Sequence, residues 1–421
     1  MYHSFPYKAY APIIIPEENL QGVFEYPQSK PVKNIQEELE KSINNPIGCN
    51  KLENLAKGKN YAIIIVDAVS ETIPVKEILT LLCAKLEQAE VKNIKILLSM
   101  AGGEPFTANE KKEKFGKEIF TKYEIKSHRF KDHLSLVDLG YNSFGSRVYL
   151  NNTLLNADLV IGIGQIIPHR TTGFSGGSEC ILPGVSGSES ISKITWDSAL
   201  LPTEEVFGCI SNPIRKEMDE CAEIAGLSFI VNTVPNPEGK ICHIVAGDYI
   251  KAFEKGCEYS KSLYGAQFLR KSDITITDAF PYDDNLWQAS RALFSAELMT
   301  NPGGVIIFIS PCHEGVSKSH KFIETYGYKT VEETLADFSD GLIPSFATAA
   351  HCLRMGRIIR DNYTCFMPEN AIHSAIVTKL GFKLVHSAQE ALEKAFFLKG
   401  KQATVSVLKK GGDTLPIHIL K

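Results

Sequence analysis

Short apolar runs alternate with amphipathic segments along most of the chain. Residues 61–66 and 93–98 are apolar runs of the length that forms buried parallel strands, and residues 74–90 between them carry apolar positions at helical spacing behind a proline. A strand, a helix and a second strand in this order are typical of a parallel sheet with crossover helices. The same rhythm predicts further strands at 158–164, 228–234, 239–245, 273–279, 304–310, 363–366 and 403–408, and helices at 212–225, 285–299, 331–338, 347–359 and 387–398.

The alternation predicts an α/β protein with mainly parallel sheets. Because only a short Pro-Asn-Pro-Glu segment separates the runs at 228–234 and 239–245, this pair is expected to be antiparallel. The pattern then restarts, which places a first domain at 1–270 and a second α/β domain at 271–402. The last segment, 403–421, is a candidate completion of the first domain.

Composition is typical of a globular chain long enough for two domains, with 421 residues of which 44% are hydrophobic and 22% charged. The 45 basic and 49 acidic side chains leave a formal charge of -4, which gives no electrostatic basis for binding nucleic acid or an anionic membrane. No apolar run reaches transmembrane length and the N-terminus lacks signal-peptide features, so we expect a cytoplasmic protein. Ten cysteines without Cys-x-x-Cys spacing are expected to be reduced.

Polar clusters follow the predicted strands at five places. They lie at 67–72, 101–105, 165–177, 280–284 and 311–315. Because ligands of parallel α/β sheets bind at the carboxyl ends of the strands, these clusters together indicate a composite site. Each cluster taken alone is also what an ordinary solvent-exposed loop contains.

Residues 168–184 form the most informative loop, since a titratable imidazole is followed there by a glycine-rich turn. His169 beside Arg170 suits a general acid or base next to a bound carboxylate, while the alternative is a histidine that only hydrogen-bonds a loop carbonyl. The backbone N–H groups of Ser175 and the two glycines after it are candidates for holding a phosphate or carboxylate. No Lys-Ser/Thr pair follows the glycines, so this is not a Walker A loop.

The predicted helix at 285–299 carries a second candidate group. Trp287 and Gln288 lie four and three residues before Arg291, which places all of them on neighbouring positions of a helix. Arg291 suits bidentate pairing with a substrate carboxylate, and Gln288 suits a hydrogen bond to a hydroxyl. The alternative is a solvated arginine beside a core tryptophan. The metal-binding spacings His-x-His, His-Glu-x-x-His and Cys-x-x-Cys are absent from the sequence, so metal ligands stay unidentified.

The glycine-rich loop resembles the signature of the nickel-dependent lactate racemase family, which also includes epimerases of other 2-hydroxy acids. The matching residues are His169, Gly173, Phe174, Ser175, Gly176, Gly177, Leu182, Pro183 and Gly184. Supporting matches spread over nearly the whole chain: Asn-Pro-Ile-Gly at 45–48, the strand that ends in Asp67, Ser-Asn-Pro-Ile-Arg at 211–215, Ala-Gly-Asp at 246–248, and Tyr-Asp-Asp-Asn-Leu-Trp-Gln at 282–288.

The resemblance implies two α/β domains with a cleft between them and a nickel-pincer nucleotide as cofactor. It implies a racemase or epimerase of 2-hydroxy acids, in which the cofactor accepts hydride, a histidine takes the hydroxyl proton and a 2-keto acid is the intermediate. His169 matches one acid/base histidine of the family, Gln288 matches a substrate residue, and Arg291 stands where a lysine is usual. The implied cofactor contacts are Asp67, Glu71, Thr72, Ser175, Gly176, Gly177 and Glu179, and the implied substrate contacts are Arg170, Trp287 (in place of a tyrosine), Gln288 and Arg291.

The sequence departs from the family at positions that hold the cofactor. Glu179 occupies the position of the lysine that links covalently to it. Gly103 and Glu104 occupy the positions of the second acid/base histidine and its neighbouring arginine, and the nickel-binding histidine is missing at Thr195 and Trp196. The added carboxylates repel a cofactor that carries phosphate and carboxylate groups.

Two hypotheses follow for the function. The first is a racemase or epimerase of a 2-hydroxy acid, with a pincer nucleotide held without the covalent bond, His169 as one proton-transfer group and Glu104 or Glu71 as the second. The other is a nickel-free member of the family that binds a metabolite or catalyses a different lyase or isomerase reaction. Neither includes a nucleic-acid or membrane partner, and the oligomeric state stays open, with a homodimer as one candidate.

Overall fold

The computed structural model describes residues 1–100 and 104–419, and the chain divides into two units. The N-terminal unit contains residues 28–194 and 206–263. The C-terminal unit contains residues 1–27, 195–205 and the chain from 264 onward.

The described residues form short strands and helices that alternate along most of the chain. The strands are β1 (Tyr2–His3), β2 (Ile13–Ile14), β3 (Leu20–Phe24), β4 (Tyr61–Asp67), β5 (Asn93–Ser99), β6 (Glu124–Ser127), β7 (Leu136–Tyr141), β8 (Arg147–Asn151), β9 (Leu159–Gln165), β10 (Pro168–His169), β11 (Gly173–Phe174), β12 (Leu227–Pro235), β13 (Ile241–Gly247), β14 (Gly265–Phe268), β15 (Ser272–Asp278), β16 (Thr300–Ile309), β17 (Thr364–Pro368), β18 (Lys383–Val385), β19 (Val405–Leu408) and β20 (Leu415–His418). The α-helices are α1 (Ile35–Asn44), α2 (Leu52–Ala56), α3 (Val75–Gln88), α4 (Ala108–Phe115), α5 (Lys117–Lys122), α6 (Ser188–Leu200), α7 (Thr203–Val206), α8 (Pro213–Ile224), α9 (Lys251–Tyr264), α10 (Leu286–Ala289), α11 (Arg291–Met299), α12 (Phe322–Tyr326), α13 (Val331–Ser339), α14 (Phe346–Gly356), α15 (Ser374–Lys379) and α16 (Ala388–Lys399). Among these described helices, none has both the length and the apolar character needed to cross a membrane.

The N-terminal unit is built on a six-stranded sheet in the order β13-β12-β9-β4-β5-β6. Its strands are parallel except β13, whose antiparallel pairing with β12 confirms the expectation from the short connection. Helix α3 buries Ile78, Leu82 and Leu86, which recur at the four-residue spacing of one helical face, in the same core cluster as Ile64 of β4. The chain order of the strands reverses between β9 and β4, and the carboxyl ends of strands at such a reversal are where α/β sheets bind ligands.

The C-terminal unit is built on a six-stranded parallel sheet in the order β18-β17-β16-β15-β19-β3. The predicted α/β class with mainly parallel sheets is therefore confirmed. Here the strand order reverses between β15 and β19. A strand from the start of the chain, β3, forms one edge of this sheet beside β19.

The division of the chain differs from the expected domains 1–270 and 271–402. The segment 403–421 was a candidate completion of the first domain, but its strand β19 hydrogen-bonds to β15 inside the C-terminal unit. Residues 1–27 also belong to that unit. The physical reason is that β19 and then β3 extend the sheet on the open side of β15, and pairing between such distant segments leaves no local sequence signal.

Two predicted helices are interrupted in the structure. The helix expected at 285–299 divides into α10 and α11 at Ser290, whose side-chain hydroxyl donates to the carbonyl oxygen of Trp287 at 2.8 Å. The helix expected at 347–359 begins as α14 and continues from Arg357 to Asn362 as a π-helical turn. Within the stretch 126–152, where the sequence signals are mixed, β7 and β8 form an antiparallel pair.

Candidate active site

Two loops of the N-terminal unit meet where β4 and β9 end. Asp67, the last residue of β4, accepts hydrogen bonds from the backbone N–H groups of Val69 and Ser70 at 3.1 and 3.4 Å. Thr72 in the same loop donates a hydrogen bond to the side-chain oxygen of Gln165, the last residue of β9. The loops that the sequence analysis placed at one sheet edge are therefore in contact at the reversal of strand order.

Carboxylates outnumber cations in the loop after β4. Burial raises the pKa of Asp67, against two backbone hydrogen bonds and the positive charge of Lys114. Lys114 donates to the carbonyl oxygen of Ser70 at 3.2 Å and is also attracted to Glu71, which is exposed. One lysine therefore faces two carboxylates here.

His169 is held by hydrogen bonds in one tautomer. Its Nδ1 atom lies 2.8 Å from the hydroxyl oxygen of Thr172. The Thr172 hydroxyl donates its one hydrogen to the carbonyl oxygen of Phe174 at 2.9 Å, so it accepts from His169. Nδ1 therefore carries a hydrogen, and the lone pair of the neutral imidazole lies on Nε2. This is the form of a histidine that serves as a general base.

The turn after His169 requires glycine at position 173. Gly173 has a φ of +83°, and a Cβ atom there would lie 2.1 Å from the carbonyl oxygen of Cys209. The amide of Asn212 donates to the carbonyl oxygens of Thr172 and Cys209 at 3.2 and 3.1 Å. The segment before α8 thus packs directly on the loop and fixes it.

The three backbone N–H groups that were predicted to hold an anion each have an acceptor within the protein. Ser175 donates to the carbonyl oxygen of Ile167 at 2.9 Å. Gly177 donates to the side-chain oxygen of Asn232 at 2.9 Å. Gly176 donates to the Glu179 carboxylate at 2.7 Å. In this conformation the anion that accepts from the loop is the carboxylate of Glu179 itself.

Arg215 joins the loop to helix α8 and is buried. Its Nη1 atom donates to the carbonyl oxygen of Gly176 and to the Ser178 hydroxyl, both at 3.0 Å. Its Nη2 atom donates to the carbonyl oxygen of Phe174, and its guanidinium lies 4.1 Å from the ring centre of Phe253. A single buried cation therefore holds both ends of the glycine-rich turn.

The charge of Arg215 offsets two nearby carboxylates. Asp219 accepts a hydrogen bond from the Ser178 hydroxyl at 2.6 Å. Burial raises the pKa of Asp219, while the Ser178 hydrogen bond and the positive charge of Arg215 oppose that rise. Burial raises the pKa of Glu179 to about 7, although Arg215 and the Gly176 N–H both favour the ionised form. Glu179 therefore titrates near neutral pH.

Glu179→Gln is expected to remove a pH dependence of stability. Because the pKa of Glu179 in the folded protein is about 7, above its ordinary 4.5, the unfolded chain loses this proton first as pH rises. The wild type therefore loses stability between these values and no further above about pH 7. Glutamine keeps an acceptor for Gly176 without ionising, so its advantage over wild type should grow by about 1–3 kcal/mol between about pH 5 and pH 8.

Denaturant unfolding of both proteins at the two pH values measures this change. The exposed Glu332, replaced by glutamine, serves as the control and should show no such growth. A difference between Glu179→Gln and wild type that stays constant with pH would contradict the prediction.

In the C-terminal unit, Trp287 is held between two histidine rings. The ring centres of His320 and His351 lie 3.9 and 4.0 Å from that of Trp287, with interplanar angles of 7° and 22°. His351 is itself fixed by a hydrogen bond of 2.8 Å to the Tyr328 hydroxyl. The indole therefore has both faces covered and a fixed orientation.

Gln288 and Arg291 follow Trp287 on the same short segment. Within residues 1–100 and 104–419 the side chains of Gln288 and Arg291 have no hydrogen-bond or ion-pair partner. Gln288 is exposed, and the guanidinium of half-buried Arg291 lies 4.2 Å from the ring centre of Tyr282. A cation that stacks on a ring and keeps its N–H groups unused is suited to bind a carboxylate.

The structure gives less support to the roles predicted around positions 103, 104 and 196. Gly103 lies outside the described residues, and Glu104 next to it is exposed, so its role as a proton-transfer group stays a prediction. Trp196 packs on Phe338 and Phe346, which is a structural role. Among the described residues there is no group of three or more His, Cys, Asp or Glu side chains placed to hold a metal ion.

Comparison with known proteins gives one consistent result. Residues 7–195 match the sequence profile of the lactate racemase N-terminal domain, and residues 269–415 match that of the lactate racemase C-terminal domain. The lactate racemase of Lactiplantibacillus plantarum is 30% identical over 394 residues, which cover 89% of this chain and 89% of that protein. The chain belongs to the lactate racemase family. The family resemblance found in the sequence is thereby confirmed.

Further relatives agree with this family assignment. The lactate racemase of Thermoanaerobacterium thermosaccharolyticum is 30% identical over 307 residues, 72% of each chain. The structure of the lactate racemase apoprotein from that organism superposes with a TM-score of 0.84 at 25% identity, covering 99% of this chain and 100% of that one. A Thermotoga maritima protein with a TM-score of 0.64 and 18% identity, covering 94% of this chain and 100% of that one, shares the fold. As a member of the lactate racemase family, the protein is an isomerase of the racemase class.

The residues of this lactate racemase family member do not fit a covalently attached pincer cofactor. The amine expected at position 179 is replaced by a carboxylate, and that carboxylate is already hydrogen-bonded to Gly176. Asp67 adds a second negative charge that raises the pKa of Glu179 further. Gln288 and Arg291, for which the family resemblance implies substrate contacts, are present, whereas the lysine that it implies at position 179 is not.

The sequence analysis missed two residues that organise the site. Thr172 sets the tautomer of His169, and a hydroxyl three residues after a candidate base was a usable local signal. Arg215 was noted only as part of a supporting match, and its contacts with the loop come from folding rather than from spacing.

Proposed function

We propose that the protein inverts the α-carbon of a 2-hydroxy acid, with His169 exchanging a proton with the substrate hydroxyl. The observation that carries this proposal is the pair of hydrogen bonds made by the Thr172 hydroxyl, from which we infer the tautomer of His169. The Nδ1–H of His169 donates to the Thr172 hydroxyl, so Nε2 is the basic atom of the neutral ring. General acid/base groups need this defined protonation state together with a fixed ring orientation.

Arg291 and Gln288 are the proposed substrate-binding residues. The guanidinium supplies paired N–H donors for a carboxylate, and the Gln288 amide can orient the hydroxyl. Trp287 has both faces covered by stacked histidines, so only the edge of its ring is available to restrict the size of the substrate side chain. Arg170 beside His169 is the proposed second positive charge.

The proposal assigns only proton transfer and substrate binding to the chain. Inversion also removes the α-hydrogen as hydride through a 2-keto acid, as the family resemblance implies, and a pincer nucleotide held without the covalent bond would supply the acceptor, because Glu179 cannot form that bond. Glu104 or Glu71 is the proposed second proton-transfer group.

A second candidate function is favoured by the same carboxylate. The Glu179 carboxylate accepts the hydrogen bond that the Gly176 N–H would otherwise offer to a cofactor. The alternative is therefore a nickel-free member of the family that binds a metabolite or catalyses a different lyase or isomerase reaction. Nickel analysis and the ultraviolet–visible spectrum of protein from its native host separate the two. Stoichiometric nickel with a pincer chromophore would eliminate this alternative.

A panel of single-enantiomer 2-hydroxy acids tests the first proposal. The protein, produced together with the enzymes that make the family's cofactor, is incubated with each acid and the products are separated on a chiral column. We expect at least one acid to lose optical purity. Unchanged optical purity for every acid would reject the racemase proposal.

Arg291→Ala is expected to weaken substrate binding more than it slows turnover. The lost charge-assisted hydrogen bonds contribute roughly 1.5–3 kcal/mol, which corresponds to about a 10- to 150-fold rise in KM. Arg291→Lys keeps the charge without the planar fork and should recover part of the loss. Steady-state kinetics of the wild type, Arg291→Ala and Arg291→Lys give the comparison. An unchanged KM in Arg291→Ala would show that Arg291 does not bind the substrate.

A further inference from the structure

The loop after β19 lies against the carboxyl end of β15, where the strand order of the C-terminal unit reverses. The backbone N–H of Lys410 donates to the Asp278 carboxylate at 3.1 Å, and the N–H of Gly411 donates to the Asp278 carbonyl oxygen at 2.9 Å. Lys410 has a positive φ of 49°. The path of this loop is therefore fixed by the last residue of β15.

Tyr282 stands between this loop and Arg291. One edge of its ring would lie 2.7 Å from a Cβ atom at position 412, so only glycine there leaves room for the ring. Burial raises the pKa of Tyr282, and the nearby carboxylate of Asp413 adds to the rise. The face of the ring carries the guanidinium of Arg291 at 4.2 Å.

We propose that Tyr282, packed against Gly412, is a positioning residue that sets the orientation of Arg291 for a substrate carboxylate. This inference rests on the substrate-binding role of Arg291 proposed above. A guanidinium held over the face of an aromatic ring has fewer orientations open to it than one on a solvated side chain. Because Arg291 has no hydrogen-bond or ion-pair partner among residues 1–100 and 104–419, the phenol ring is the described contact that orients it.

The two parts of Tyr282 have separable effects. Tyr282→Leu removes the ring and is expected to raise KM about 3- to 30-fold, the value of a partly desolvated cation–π contact, with kcat within about twofold. Tyr282→Phe keeps the ring and loses only the hydroxyl, so it should stay close to wild type. Rescue by phenylalanine distinguishes ring stacking from general loss of packing.

Tyr326 offers a matched control in the same unit. Its ring carries the ammonium of Lys329 at 4.6 Å, and its hydroxyl donates to Asp337 at 2.6 Å, so it repeats the arrangement of Tyr282 away from Arg291. Tyr326→Leu should leave KM unchanged. The thermal midpoints of both leucine variants show whether each protein is folded.

A double-mutant cycle on the full-length protein tests the proposal, with the dissociation constant for D- and L-lactate measured by titration calorimetry as the probe. We expect Tyr282→Leu to weaken binding in the wild type and to have no further effect in Arg291→Ala. An equal effect in both backgrounds, or no effect in the wild type while Arg291→Ala weakens binding, would overturn the positioning role. If Arg291→Ala itself leaves binding unchanged, the proposed function fails instead.

Discussion

His169→Ala is expected to lower kcat about 10²- to 10⁴-fold, the range that general acid/base assistance supplies. The variant removes the group that is proposed to exchange a proton with the substrate hydroxyl, while Gln288 and Arg291, the proposed substrate-binding residues, stay in place. The dissociation constant for the substrate should therefore change far less than kcat. Steady-state kinetics and titration calorimetry on the same preparation give the two numbers.

Two further variants make this test specific. Thr172→Val removes the acceptor of the His169 Nδ1–H and should lower kcat less than His169→Ala, because the ring stays present but loses its fixed tautomer. His386, an exposed residue paired with Glu369, is the control, and its replacement by alanine should leave kcat unchanged. An unchanged kcat in His169→Ala would show that this histidine has no catalytic role.

Arg215→Met is expected to destabilise the protein by about 3–5 kcal/mol, the cost of removing one partner from a buried charge cluster. The substitution removes one of the donors to the carbonyl oxygens of Phe174 and Gly176, and it removes the positive charge that favours the ionised forms of Glu179 and Asp219. A large shift of the urea midpoint measures the effect.

An exposed arginine provides the matched comparison for Arg215. Arg147 forms an ion pair with Asp138 on the surface of the β7–β8 pair, and its replacement by methionine should change stability by about 0.5 kcal/mol or less. Adding Glu179→Gln to Arg215→Met should recover part of the loss, because one uncompensated carboxylate is then gone. Equal midpoints for Arg215→Met and Arg147→Met would contradict the role assigned to Arg215.

The central strands were predictable because they are buried on both faces. The runs at 61–66, 93–98 and 158–164 correspond to β4, β5 and β9, since continuous apolar sequence is what a covered parallel strand requires. The sequence did not predict in the same way which segments of the chain belong to each unit. Short strands such as β3 and β19 join one sheet from opposite ends of the chain, and that pairing is a property of the tertiary fold.

The sequence indicated the loops of the candidate site better than it indicated the contacts within them. The glycine-rich loop was located correctly at the end of β9, and the Thr72 to Gln165 hydrogen bond joins it to the loop after β4. The sequence did not reveal that Glu179 bonds to Gly176 or that Arg215 holds the turn, because side-chain direction in a loop depends on the packed structure. The stacking of Trp287 between two histidines from later segments has the same origin.

The approach to equilibrium from both enantiomers of one 2-hydroxy acid tests the central claim most directly. The same preparation of the full-length protein is given either the D or the L acid, and the enantiomer ratio is followed on a chiral column. The account predicts that both reactions converge on the same racemic mixture and that His169→Ala slows both. A protein that binds the acid through Arg291 while its enantiomer ratio never changes from either side would contradict it.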